Sequence, residues 1–176
     1  MEAKARAVVQ RVELSGHMTP PVTLGDVLEH MELSSDEHMS YINRKTGEII
    51  HLTGEELQMA EDPAEAEFAA DWQKETIAKA REVMESADYI ALPGKFEIDE
   101  WSIVDRFVKS LTDARMSDQL DAAIHGRGAF RRFKETVRRL AIAEDWYRFR
   151  TAAIEEIAID FLEAHGIAYR REPRQR

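Results

Sequence analysis

Apolar positions recur along the chain with two different periods, and the switches between them mark out most of its elements. Leu24, Val27, Leu28 and Met31 are spaced by three and four, which predicts a short helix over about 23–32, behind the break at Pro20-Pro21. Thr23 with Asp26 three residues on has the form of a capping box, with Asp in the place of the better partner Glu. His38-Met39-Ser40-Tyr41-Ile42 and Glu48-Ile49-Ile50-His51-Leu52 then read as two strands of a hairpin. In the connecting segment Asn43 suits the start of a turn and Gly47 supplies positive φ. Thr53 caps a short acidic helix that begins Gly54-Glu55-Glu56-Leu57. Trp72, Thr76, Ile77, Ala80 and Val83-Met84 form a helical stripe to about 86, and Tyr89-Ile90-Ala91-Leu92 reads as a buried strand stopped by Pro93-Gly94.

The last third keeps the helical period. Ile98, Trp101, Val104, Phe107-Val108 and Leu111 make one stripe, and Ser117 is expected to open a second helix holding Leu120 and Ile124. Phe130, Phe133, Val137 and Leu140-Ala141 make a third stripe, turned toward the core. A long helix over about 144–165 has Glu144-Asp145 in its first turn, favourable against the helix dipole, and Gly166 at its stop. Ile167-Ala168-Tyr169 reads as a final strand. Trp72, Trp101 and Trp146 lie on apolar stripes, so core packing is the role expected of them. Together the elements predict an α+β fold, predominantly helical, with a small, mainly antiparallel sheet that includes a β-hairpin at about 38–52. The expected organisation is an N-terminal arm or added strand over 1–19, a single domain over 20–170, and a frayed basic tail over 171–176.

Composition narrows the chemistry. The 176 residues include no cysteine, which removes disulfides, thiolate metal sites and cysteine nucleophiles. No apolar run approaches 18 residues and the first residues lack a signal-peptide core, so a cytoplasmic protein without a membrane segment is expected. The net charge of −10 is uneven: residues 1–100 hold 9 Lys+Arg and 22 Asp+Glu, whereas residues 101–176 hold 15 and 12. Overall acidity argues against indiscriminate nucleic-acid binding, while the asymmetry leaves room for one local cationic surface in the second half.

That surface has an obvious candidate. Gly126-Arg127-Gly128-Ala129-Phe130-Arg131-Arg132-Phe133-Lys134 sets two glycines around an arginine just before a helix, and Arg138 continues the row begun by Arg131 and Lys134. Such a loop leaves backbone N–H groups free at a helix start, where an anion is welcome, and arginine forks hold phosphate or carboxylate bidentately. The same residues also fit a plain helix-to-helix turn whose arginines pair with nearby acids. The glycine spacing matches neither the dinucleotide fingerprint nor the phosphate loop.

Several segments in order resemble a known group: Tyr41-Ile42 with Thr46-Gly47-Glu48, Tyr89-Ile90-Ala91-Leu92-Pro93, Phe96-Glu97-Ile98-Asp99-Glu100-Trp101, the glycine-arginine segment 126–134, and Asp145-Trp146-Tyr147. They are similar to a bacterial family catalogued as uncharacterised protein family 0158, over about 22–170. The resemblance carries no activity and no catalytic residues with it.

Other chemistry is thinner. Asp99 and Glu100, with Glu97 and Asp105, stand at a helix start, where acids are stabilising; as a pair they would also serve as acid and base, or hold magnesium. His125 adjoins the arginine loop as a proton carrier. The six histidines show no metal-ligand spacing; His38 and His51 are expected to face each other across the hairpin, and His165 to meet the end of its own helix. No cofactor is implied. Two functions remain in play: a non-catalytic module that holds an anionic ligand or acidic protein partner on Gly126, Arg127, Gly128, Arg131, Arg132, Lys134 and Arg138, and a small phosphate-substrate hydrolase or transferase that uses Asp99, Glu100 and His125 with Arg127 and Arg131. A structural protein or homodimer is the third reading. Nucleic acid is not favoured as a partner.

Overall fold

A computed structural model describes residues 21–62 and 70–171. The predicted arm over 1–19, most of the basic tail and the side chain of Trp72 lie outside the described residues. The described residues divide into two compact units, one made of 21–62 and 70–97 together with 157–171, the other of 98–156.

The first unit is built on the predicted hairpin. β2 (His38–Asn43) and β3 (Ile49–Thr53) pair antiparallel with Ser40 opposite His51, and β4 (Tyr89–Ala91) joins the free side of β2, giving the order β3-β2-β4. The turn forms as its residues dictate: the Asn43 side chain accepts from the Lys45 and Thr46 amides at 2.9 and 3.1 Å. Alternation then sends side chains to opposite faces of the sheet. Leu52, Tyr89 and Tyr41 pack with Ala60 of α2 (Gly54–Glu61) and with Ile77, Ala80 and Val83 of α3 (Asp71–Glu85). Ser40 points the other way and donates to the His30 carbonyl of α1 (Leu24–Leu33).

Both predicted threonine caps are present. Thr23 accepts from the Asp26 amide at 3.1 Å, and Thr53 with Glu56 forms a full capping box. β1 (Val22–Thr23) and β5 (Tyr169–Arg170) form a separate parallel pair. β4 departs from the expected buried strand: it lies at an edge, Tyr89 is buried, and Ala91 is exposed.

The second unit is helical: α4 (Glu100–Ser110), α5 (Ala114–Ala123), α6 (Ala129–Arg139) and residues 143–156 of α7 (Ala143–Ala164). Its core is a group of aromatic rings. Phe107, Phe133 and Trp146 meet edge to face at centroid distances of 4.9–6.4 Å, and Phe149 lies 5.4 Å from Phe107. Trp146 therefore has the expected core role.

Three sequence expectations fail here. Asp113, not Ser117, opens α5, because its carboxylate accepts from the Arg115 and Met116 amides at 2.8 and 3.2 Å; the Ser117 hydroxyl instead donates to the Val108 carbonyl. Phe130 and Trp101 are not core residues, being 39% and 46% exposed. The buried arc of α6 is Ala129, Phe133, Thr136 and Val137, and at 100° per residue Phe130 sits roughly 75° from its centre. Trp101 sits roughly 90° from the centre of the arc formed by Ile103, Val104, Phe107 and Val108 in α4.

Candidate functional site

The glycine-arginine segment forms a tight connection from α5 into α6. Gly126 and Gly128 both lie in the left-handed region, with φ of 79° and 75°. A Cβ at either would meet only a guanidinium nitrogen, at 4.0 and 3.6 Å, so backbone angle rather than space calls for glycine. Arg132 folds back from the first turn of α6 and donates to the carbonyls of Arg127 and His125. It clamps the loop and is half-buried, so this guanidinium is spent on structure. His125 donates from Nδ1 to the Asp121 carbonyl at 2.6 Å.

The other cations point outward. Arg131 pairs with Glu135 at 2.8 Å, which raises its pKa further, yet its side chain stays 85% exposed. An exposed pair at this spacing is weak because water screens it, so a better acceptor displaces Glu135 at small cost. Lys134 lies 4.5 Å over the Phe130 ring, and Phe130 meets Trp101 of α4 edge to face at 6.2 Å. Arg139 reaches Gln119 at 3.2 Å. Among the described residues neither the Arg127 nor the Arg138 side chain has a hydrogen-bond or ion-pair partner. The α6 N-terminus carries no side-chain cap.

The aromatic contact sets the starts of α4 and α6 side by side, and both candidate carboxylates there are engaged. Asp99 is the N-cap of α4 and accepts from the Ser102 amide at 3.1 Å. Glu100 accepts from Nε and Nη2 of Arg150 at 3.0 and 2.5 Å. Asp105 pairs with Lys109 at 2.6 Å. Among the described residues no group of three His, Asp or Glu side chains is arranged to hold a metal ion. His165 donates to the Phe161 carbonyl of its own helix, as expected.

The sequence reasoning missed Trp101 and Phe130 as surface residues. The available signal was the four-residue step from Phe130 to Lys134, which places ring and ammonium together on one helix face.

A family model described as uncharacterised protein family UPF0158 matches residues 19–173. The chain belongs to UPF0158. The glycine-arginine segment, Trp101 and both carboxylates all lie within the matched span, so for UPF0158 as for this chain the chemistry must be argued from the side chains. No curated protein and no solved structure matches the chain. No helix among the described residues is long and apolar enough to cross a membrane.

Proposed function

We propose that the protein is a non-catalytic binding module that holds an acidic protein segment on the outward face of α6. The observation that carries this reading is a half-exposed aromatic pair, Trp101 and Phe130, set beside Lys134 on a helix where the side chains of Arg138 and, in the loop before it, Arg127 have no partner among the described residues. Trp and Arg are the side chains that most often anchor protein interfaces, and a cation flanking an apolar anchor selects an acidic partner. Charge is focused here: residues 127–139 hold six Lys+Arg and one Asp+Glu, within a unit that balances 11 against 11. Gly126, Gly128 and Arg132 shape the loop that presents Arg127, while Arg131, Lys134 and Arg138 supply the charge.

The phosphate-transfer reading draws less support, because both of its carboxylates already have partners: Asp99 caps α4 and Glu100 is held by Arg150.

The test is an NMR titration of the full chain at low salt with three probes: a Glu-rich peptide carrying Leu and Phe, inorganic phosphate, and a single-stranded oligonucleotide. The reading expects the peptide to shift the Trp101 indole N–H and the amides of 127–138. A response to phosphate alone, to the oligonucleotide alone, or only elsewhere in the chain overturns it. So does a concentration-dependent dimer occupying that face.

A further inference from the structure

An open sheet edge, in the first unit, has no part in that reading. In the order β3-β2-β4, β3 is an edge strand. The Asn43 amide donates to the Glu48 carbonyl and the Gly54 amide to the Glu37 carbonyl, so the even-numbered residues of β3 are the ones bonded to β2. Ile49 and His51 therefore turn their amides and carbonyls away from β2. Among the described residues these backbone groups have no partner. The third outward amide, that of Thr53, is taken by the Glu56 carboxylate at 2.7 Å.

Edge strands are usually blunted by a charge, a proline or a bulge. β3 has none of these: Ile49-Ile50-His51-Leu52-Thr53 is uncharged and pairs with β2 without interruption. β4, at the other edge, is three residues long and is followed closely by Pro93. Contacts on both faces hold β3 in place. On one face His51 stacks on His38 with centroids 5.4 Å apart, although the register makes the two diagonal neighbours rather than a directly opposed pair. Beside them the buried Ser40 hydroxyl lies 2.9 Å from His51 Nδ1 and donates to the His30 carbonyl of α1 at 3.2 Å. On the other face Ile50 and Leu52 pack toward α2 and α3. Ile49, Ile50 and His51 remain only half-buried.

We propose that β3 pairs antiparallel with β3 of a second copy of this chain, joining their three-stranded sheets into one. A two-fold axis through Ile50 sets Ile49 of each copy opposite His51 of the other, and every open amide and carbonyl of these residues then finds a partner. An axis through His51 would instead set Ile49 against Thr53, whose amide is already taken. The Ile50 axis also brings the two Ile50 residues together as a non-hydrogen-bonded pair, the arrangement in which side chains come closest. Charge agrees with this register. Beyond the strand, Lys45 in the turn of one copy runs alongside Glu55 at the start of α2 in the other. Lys45 is 70% exposed while it pairs with Asp88 at 2.7 Å. The Glu55 side chain is exposed and has no partner among the described residues. A parallel, in-register pairing would instead set Lys45 beside Lys45 and Glu55 beside Glu55, which is unfavourable.

The chain has no cysteine, so one introduced thiol reports this contact alone. In Ile50→Cys the two Cα atoms lie about 4.5 Å apart across the axis, within the range that a disulfide spans. The experiment uses the full chain at about 0.15 M salt, where a Debye length of about 8 Å screens the net acidity of the two copies. Sedimentation of the wild type should show a monomer and a dimer in concentration-dependent exchange. Mild oxidation should cross-link Ile50→Cys as a dimer and leave Ala91→Cys, on the opposite sheet edge, uncross-linked. Because Ile50 also packs toward α2 and α3, a surface variant provides a second measurement: Glu55→Lys faces Lys45 of the other copy with like charge and should weaken dimerisation by at least about tenfold. A monomer at every concentration reached, a dimer that folded Ile50→Cys fails to cross-link, cross-linking through Ala91→Cys, or unchanged dimerisation of Glu55→Lys overturns the proposal.

Discussion

Arg131 and Arg132 are adjacent, identical in chemistry and opposite in use. Arg132 holds two loop carbonyls, whereas Arg131 makes one exposed ion pair with Glu135. Removing a charged donor from two carbonyls typically costs about 1–3 kcal/mol, whereas a solvent-screened exposed pair contributes little. Urea denaturation should therefore find Arg132→Ala clearly destabilised and Arg131→Ala near wild type. Equal effects would contradict the division of labour. The sequence showed a row of cations and the glycines that shape their loop. It did not show which cation the loop would consume, because that depends on where α6 begins: with Gly128 as N-cap, Arg132 is the side chain within reach of the carbonyls behind it. The exposure of Trp101 and Phe130 was hidden for a related reason. A three- or four-residue repeat identifies a stripe, but not which members fall on its edge.

Helix ends repeat one device with different residues. α7 stops at Gly166 with φ of 66°, and the Gly166 and Ile167 amides bond back to Glu163 and Leu162. α6 stops in the same way at Ala141, φ 57°, whose amide and that of Ile142 bond back to Arg138 and Val137. A left-handed alanine carries a penalty of about 1 kcal/mol that glycine avoids. Ala141→Gly should therefore stabilise the protein by up to about 1 kcal/mol in thermal or urea unfolding; a loss would contradict the cap assignment.

The hairpin is tied to α3 by another set of contacts. The Tyr89 hydroxyl donates to Glu48 at 2.8 Å, and Lys79 reaches Glu48 and Glu82 at 3.1 and 2.9 Å. The Tyr89 hydroxyl first, then Lys79, hold the Glu48 pKa below the usual carboxylate value. That contribution is present above the ordinary glutamate pKa of about 4.3 and is lost as pH falls through the lowered one. Tyr89→Phe should cost about 1 kcal/mol at neutral pH and less near pH 3 in urea titrations. Threonine caps were legible because their spacing is local; the start of α5 was placed at Ser117 although Asp113, an equally good N-cap residue, opens the helix.

At the scale of the whole molecule, the fold class was readable and the function was not. Two periods of apolar residues and one Asn-to-Gly turn suffice for a hairpin sheet among helices. They say nothing of ligands, and UPF0158 carries no activity to lend. What distinguishes the chain is its charge: residues outside 98–156 hold 13 Lys+Arg and 23 Asp+Glu, yet the face of α6 is cationic.

Calorimetric titration of the Glu-rich peptide into the wild type and into the Arg127→Glu, Arg138→Glu double variant tests the central claim most directly. Both side chains are exposed and have no partners among the described residues, so the fold should be unaffected. The account predicts wild-type binding that weakens with salt and falls at least about tenfold in the variant. Equal affinity for the two proteins, or no binding to the wild type at low salt, would contradict it.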